Sequence, residues 1–271
     1  MTIEVVGEFL GIDTDEGLFR YFRRRHYAEW FPGLGEVHRT TFARQTANLW
    51  KAKQLLWRHL LKEKVSFDPS ISIIDSFPVP VCRFARAYRC RRLREVSAYG
   101  GHDSSSGKKG QAGLFFGLKA HVRVCWPGVV VEAEPAAANH PDLSVAEEIL
   151  GTTDATTGQG GWVLGDRNYH SPNLGEALMD PARGLEVVAP QKSSEKERHP
   201  WPRWLVNKRR RIETVFSQFV ERFDAKKVWA RDRWHLTRRF LRKILSHTVA
   251  VYFSQQAGLS SPLRFSELIT D

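Results

Sequence analysis

The chain has 271 residues, 42% of them hydrophobic, and a formal net charge of +11, which together predict a folded basic protein and exclude wholesale disorder. It has no run of about 18 apolar residues and no secretory pattern near its start, which argues against a membrane span and an export signal. Its 3 cysteines, Cys82, Cys90 and Cys125, are too few for a disulfide framework, so the reducing cytoplasm is the expected compartment.

Residues 1–67 have a helical pattern. One helix is predicted over 17–30 and a longer one over 40–64, with Leu49 and Leu55 among the candidate buried positions. Both helices carry basic side chains. They fit a DNA-binding bundle and, equally well, a plain helical support.

After residue 67 the pattern changes to strands. A short isoleucine-rich strand is expected to stop at Pro78 and Pro80. A long alternating strand and its hairpin partner follow, and then helices alternate with short apolar strands. The predicted ranges are 71–75, 114–125, 129–134, 162–165 and 185–189 for strands, 142–150, 172–179, 205–223 and 237–255 for helices, and 100–113 for a loop.

This order of elements predicts the fold class. Three strands in a meander, then helix, strand, helix, strand and helix, are the order of an α/β domain with an RNase H-like mixed sheet flanked by helices. An N-terminal helical region precedes it. We therefore divide the chain into a helical region, 1–67, an α/β domain, 68–257, and a C-terminal tail, 258–271.

Three acidic residues are candidates for chemistry. Asp75 ends the first predicted strand and Asp166 the fourth, and reactive groups gather at strand ends. Glu213 borders the apolar stripe of the helix predicted over 205–223. Carboxylates that converge in a low-dielectric site repel one another, and hard divalent cations relieve that repulsion. Taken singly, such an aspartate is more often a turn or cap residue, and such a glutamate an ion-pair partner.

Basic residues are clustered. Residues 203–243 hold fourteen Lys/Arg against four Asp/Glu, and Arg83–Arg94 holds six arginines and no acid. Arginine suits phosphate recognition, so the clusters favour a polyanionic partner over a merely solvated surface. Lys119 and His121 lie on the polar face of the second predicted strand, where they either contact phosphate or are simply solvated. Asp142 is expected to be an acid at a helix N-terminus rather than a catalyst.

The segments around the three acids resemble the motifs of bacterial insertion-sequence transposases of the DDE superfamily. Asp75 follows an isoleucine-rich strand, and Asp166 with Tyr169 matches a Gly-Asp-x-x-Tyr motif. Glu213 lies in an arginine-rich helix with Arg209 four residues earlier. In outline the likeness extends over residues 1–257, and it includes an Asn-x-x-Asp helix entry at 139–142.

The chain departs from the pattern of some relatives at two positions. Those relatives have a tyrosine seven residues before the glutamate and a lysine seven after it, and this chain has Val206 and Val220 there. The roles of that tyrosine and lysine therefore do not carry over. The opening residues resemble an internal part of longer relatives, which predicts a truncated or misassigned start.

The resemblance implies a reaction and a site. It implies an RNase H-like DDE domain in which Asp75, Asp166 and Glu213 hold two Mg²⁺ ions, with Mn²⁺ able to substitute. Asp75 bridges both ions. Water first frees a 3′-OH at a transposon end, and that 3′-OH then attacks target DNA. Arg209, Arg210 and Arg211 are expected to grip DNA phosphate, with Lys119 and His121 as further candidates.

The same resemblance implies partners. They are the terminal inverted repeats, the target DNA and a second copy of the chain, in a homodimer on DNA associated with the cytoplasmic nucleoid and with no membrane. Two alternatives remain at this stage. One is a non-catalytic DNA-binding remnant of a transposable element, and the other is a metal-dependent nuclease that cuts without joining.

Overall fold

The computed structural model describes residues 1–24, 27–101, 113–151, 161–171, 184–191, 201–227 and 230–268. The strands are β1 (Asp68–Pro80), β2 (Ala98–Gly101), β3 (Leu114–Trp126), β4 (Val129–Ala137), β5 (Gly161–Leu164) and β6 (Leu185–Val188). The α-helices are α1 (Thr2–Phe9), α2 (Asp15–Phe22), α3 (Arg39–Asn48), α4 (Trp50–Glu63), α5 (Asp142–Gly151), α6 (Arg203–Arg209), α7 (Arg211–Ser217) and α8 (Arg233–Gln256). Within these residues, no helix is long and apolar enough to cross a membrane.

The strands form one mixed sheet. β1 pairs antiparallel with β3 and parallel with β5, and β5 pairs parallel with β6. β4 lies beside the second half of β3, while β2, which the sequence did not predict, lies beside its first half. Without β2 the order is β4-β3-β1-β5-β6. The predicted RNase H-like mixed sheet with flanking helices and N-terminal helices is therefore confirmed.

β1 continues well beyond its predicted end. It pairs with β3 as far as Pro80, whereas β5 accompanies it only over Ile71–Ile73. Prolines are accepted in strands where an edge lacks a partner. Pro78 and Pro80 lie in the part of β1 that has no neighbour on the β5 side, so the expectation that they stop the strand was wrong.

Two predicted helices are interrupted. The helix predicted over 40–64 divides at Leu49 into α3 and α4, and Leu55, expected to be buried, is 60% exposed. The helix predicted over 205–223 divides at Arg210 into α6 and α7, and a π-helical turn follows α7. The helix predicted over 172–179 and most of the loop predicted over 100–113 lie outside the described residues.

Apolar side chains cover both faces of the sheet. On one face, β1 and β3 pack with α4, α7 and α8 around residues such as Trp57, Ile73 and Phe219. On the other face, Ile74 and Val163 pack against α5. A helix layer on each side excludes water from the strands and fixes which strand ends open to solvent.

α8 also holds the N-terminal helices through buried ion pairs. Arg238 pairs with Asp15 of α2, and Arg242 and Lys243 both bind Glu8 of α1. These cations are almost fully buried, which requires that each be paired. This part of the basic cluster 203–243 is therefore structural and does not face a polyanion.

Candidate active site

The first two predicted acids lie on neighbouring parallel strands, Asp75 within β1 just past the stretch that β5 accompanies and Asp166 just after the end of β5. Ile73 of β1 lies beside Leu164 of β5, and Asp75 and Asp166 each follow two residues later. Because β5 ends at Leu164, Asp75 has no neighbouring strand on the β5 side, while on its other side it pairs with Val122 of β3. The parallel register therefore brings the two carboxylates to one place, although the prediction that Asp75 ends its strand was wrong, because β1 continues along β3 to Pro80.

Asp75 is a desolvated carboxylate among other acids. Its pKa is raised to about 7, first by burial and then by the carboxylates of Asp166 and Asp142, while the Ser76 backbone N–H and Arg209 oppose the shift. The Ser76 N–H donates to Asp75 Oδ1 at 2.8 Å. A carboxylate with this pKa lacks enough neighbouring positive charge to be fully ionised at neutral pH.

Asp166 is held by the turn that it begins. Asn168 donates to both its oxygens, from its backbone N–H at 2.8 Å and from its side-chain amide at 3.2 Å. Gly165 allows the turn, because a Cβ there would lie 2.6 Å from Tyr169 Cβ. Asp166 is thus a cap residue, as expected for a lone aspartate, and its pKa is nevertheless raised by burial and by Asp142.

Glu213 does not join the other two acids directly. Its side chain is 61% exposed, and Arg209 Nη2 lies 3.7 Å from its Oε1. Arg209 Nη1 also lies 3.7 Å from Asp75 Oδ2, so one guanidinium bridges the two carboxylates. Within the described residues, no three His, Cys, Asp or Glu side chains form a group close enough to hold a metal ion.

Asp142 is a fourth acid at this site. It begins α5, and its Oδ1 accepts a hydrogen bond from Lys119 Nζ at 2.8 Å and lies 3.5 Å from Ser76 Oγ. Its charge raises the pKa of both Asp75 and Asp166. The sequence placed Asp142 at a helix N-terminus correctly, but its proximity to the other acids depends on how α5 packs against β1 and β3.

His121 is not on a solvated face. It is fully buried beside Asp142, with 3.9 Å between its Nε2 and Asp142 Oδ1, and burial lowers its pKa to about 4. The expectation that His121 is available to phosphate was therefore wrong, because α5 packs against that face of β3. Lys119 is paired with Asp142, so phosphate contact would require it to leave that partner.

The chain matches one known family. Residues 66–228, more than half of the chain, match the sequence profile described as Transposase DDE domain. The chain belongs to this transposase family. Its members cut and rejoin DNA phosphodiesters and use divalent metal ions. No curated protein sequence matches the chain.

Among solved structures, the transposase resembles a piggyBac transposase in a synaptic complex with hairpin DNA. The TM-score is 0.51 at 12% sequence identity, and the match covers 98% of this chain and 68% of that chain. At this identity the likeness concerns the fold. It agrees with the RNase H-like strand order.

The three predicted DNA-binding arginines of the transposase lie around the break between α6 and α7. Arg210 is exposed at the break. The Arg211 guanidinium lies 5.0 Å from the ring centroid of Trp126, and Lys208 Nζ lies 3.3 Å from the same centroid. Trp126, which pairs with Asp68 at the start of β1, therefore orients two cations, while Arg209 bridges Asp75 and Glu213.

The residues present fit a divalent metal ion in their chemistry. Carboxylate oxygens are the protein ligands that Mg²⁺ prefers, and burial together with the neighbouring acids raises the pKa of Asp75, a shift that a nearby cation opposes. The buried Tyr169 hydroxyl has no hydrogen-bond partner within the described residues, and the charges of Asp75, Asp142 and Asp166 raise its pKa beyond the effect of burial. A buried polar group without a partner indicates polar contents, such as water or an ion, at the same place.

Proposed function

We propose that this transposase hydrolyses the phosphodiester at the ends of an insertion sequence and joins the freed 3′-OH to target DNA. Asp75, Asp166 and Glu213 would hold two Mg²⁺ ions. The observation that carries the proposal is the parallel register of β1 and β5, which puts Asp75 and Asp166 at one open edge of the sheet. Bound Mg²⁺ supplies Lewis acidity to the attacking and leaving oxygens of an in-line displacement.

The chain's own residues prepare this site before metal binds. The Ser76 N–H orients Asp75, and Asn168 fixes both oxygens of Asp166. Glu213 is turned toward solvent and bound by Arg209. Glu213 must therefore rotate inward as Arg209 releases it, and the released guanidinium becomes available for a DNA phosphate.

We also propose that two copies of the chain act on paired transposon ends, with terminal repeats and target DNA as partners. Arg210 and Arg211 would grip phosphate beside the acids. The helical residues 1–67 would add contacts to DNA, although the buried pairs to α8 hold α1 and α2 on the core.

A cysteine substitution tests the metal ligands. Asp75→Cys should lose cleavage of a DNA duplex that carries the sequence flanking the gene when only Mg²⁺ is present, because a thiolate is a poor ligand for Mg²⁺. Mn²⁺ should restore part of the activity, since it is more tolerant of sulfur. Glu186→Gln, which removes an exposed acid of β6 in the same sheet, should behave as the unaltered protein does.

The product distinguishes the proposed reaction from its alternatives. Joining of a pre-cleaved 3′-OH end to a target plasmid is expected. Cleavage without joining would support a simple nuclease. DNA binding with no cleavage in the presence of either Mg²⁺ or Mn²⁺ would support a non-catalytic remnant. Either of these two results would contradict the proposal.

A further inference from the structure

A large groove lies beyond the end of β1, away from the acids. Its volume is about 1500 Å³, and it is lined by the segment 80–92, by Leu114 and Phe115 at the start of β3, and by Lys226 and Lys227. The proposed reaction assigns no role to it. Its lining is basic and aromatic, which indicates the kind of ligand that it takes.

The groove's arginines are free of acidic partners. Within the described residues, none of the exposed arginines of the segment forms a salt bridge; they are Arg83, Arg86, Arg89, Arg91 and Arg92. The buried cations of α8 are instead paired with carboxylates. Like charges kept together without counter-charges repel one another, and a polyanion relieves that repulsion.

Aromatic rings stand exposed among these arginines. Tyr88 is 62% exposed and Phe84 41% exposed. The Arg89 guanidinium lies 4.9 Å from the ring centroid of Tyr88, and the ring centroids of Phe84 and Tyr99 are 6.0 Å apart. Exposed rings beside guanidinium groups offer flat surfaces on which unpaired bases stack.

The segment is fastened to the body of the protein. Ala87 and Leu93 are buried while the arginines between and around them face outward. The Leu93 N–H donates to the Arg231 carbonyl at 3.3 Å, and Leu93 has φ +49°, a left-handed conformation that is unfavourable for leucine. The arginines and rings are thus presented by a docked segment whose backbone has a defined path.

The groove lies at a defined distance from the proposed cleavage site. Asp75 and Pro80 belong to the same strand, and five extended residues cover about 17 Å. Stacked nucleotides of one strand are spaced by about 3.4 Å. A strand that runs from the acids along β1 therefore reaches the groove after about five nucleotides.

We propose that this groove binds single-stranded DNA adjacent to the cleaved phosphate, with its arginines on the backbone and Tyr88 and Phe84 stacked on bases. A duplex is disfavoured because paired bases present only their edges in the grooves, whereas these rings need base faces. The inference rests on the proposed function for the place of the groove in the reaction. The binding itself does not depend on catalysis.

Fluorescence anisotropy with EDTA present tests the binding apart from the metal-dependent reaction. The probe is a labelled mixed-sequence oligonucleotide of about 12 nucleotides, within the usual range of single-strand sites, used alone and annealed to its complement. Tyr88→Ala should raise the Kd for the single strand by about tenfold, the typical effect of losing one stacked base. It should leave the duplex unaffected.

Matched variants separate stacking from general damage. Tyr88→Trp should retain binding, because stacking needs a ring and not a hydroxyl. Phe253→Ala, which removes a ring that is 54% exposed from α8, should leave the Kd for the single strand unchanged. If Tyr88→Ala changes the single-strand Kd by less than about threefold, or weakens the duplex as much, base stacking is not the source of affinity and the proposal is overturned.

Discussion

Glu8 of α1 and Arg242 of α8 form a buried ion pair across 234 residues of sequence. Lys243 donates to the other oxygen of Glu8 at 2.9 Å. One carboxylate therefore binds two buried cations, and Asp15, 3.7 Å from Arg242 Nη1, adds a second negative charge. Burial lowers the pKa of Lys243, and Glu8 opposes that shift, which makes the carboxylate essential to this contact.

Glu8→Gln should destabilise the protein strongly. It removes the negative charge that Arg242 and Lys243 share while both cations stay buried. Removing one partner of a buried ion pair typically lowers the free energy of unfolding by about 3–5 kcal/mol. Urea denaturation measures the loss. Glu16→Gln, which breaks the exposed pair with Arg20, should cost less than about 1 kcal/mol. Equal losses for the two variants would contradict this account.

His247 should make the free energy of unfolding depend on pH below about 6.5. Its imidazole is fully buried, stacked on Phe219 at 5.0 Å and bonded to Gln218 at 3.0 Å, and burial lowers its pKa to about 3. Between the unfolded pKa of about 6.5 and the folded one, only the unfolded state binds the proton, so stability falls by about 1.4 kcal/mol per pH unit as pH falls.

The contribution of His247 to this pH dependence can be isolated by comparing a variant that lacks the imidazole with the unaltered protein. His247→Phe should lack this contribution, so the urea midpoints of the variant should fall less between pH 7 and pH 5 than those of the unaltered protein. His59→Gln, at an exposed position of α4, should retain the full slope. An unchanged slope in His247→Phe would mean that the imidazole is protonated in the fold.

Arg209 should compete with metal ions when DNA is absent. Its guanidinium lies 3.7 Å from both Asp75 and Glu213, the two carboxylates proposed to take part in metal binding. Arg209→Gln should therefore strengthen Mn²⁺ binding about two- to fivefold, which corresponds to the loss of a partly exposed ion pair. Calorimetric titration measures it, with Arg210→Gln as the control. Weaker binding would show that Arg209 supports the acids and does not block them.

Gly165→Ala should displace Asp166. The added Cβ would lie 2.6 Å from Tyr169 Cβ and 2.8 Å from its ring, and Tyr169 is buried and cannot move freely. We expect a loss of about 1–3 kcal/mol in stability and reduced cleavage by the folded fraction. Gly33→Ala, with no atom near its added Cβ, provides the comparison. Normal cleavage by Gly165→Ala would indicate that the turn adapts.

The sequence predicted the sheet and the positions of Asp75 and Asp166 because these depend on local patterns. Alternation of apolar residues marks strands, and a parallel pair places the residues that follow the paired stretch of each strand at one edge. Resemblance added Glu213. What local patterns could not give is its orientation: α7 buries Ile212 and Val215 and leaves Glu213 facing solvent.

The errors came from contacts between distant residues. The arginines of α8 looked like a polyanion-binding surface, but their partners Glu8 and Asp15 lie at the other end of the chain. The sequence placed His121 on a solvated face, but α5 packs against that face and buries it. The sequence gives the charge of each residue, but only the fold determines whether that residue pairs with a carboxylate or remains available to a ligand.

Because α8 follows all three acidic motifs in the sequence, a truncated gene copy can keep the motifs and still lose this helix. A reading frame that breaks after Phe223 keeps all three acidic motifs, yet it loses the helix whose side chains neutralise Glu8 and Asp15 and cover the sheet. The truncated protein is expected to be unstable and degraded in the cell, which is a greater loss than reduced catalytic activity. Surveys that score copies by intact motifs alone would therefore overestimate how many remain competent to move.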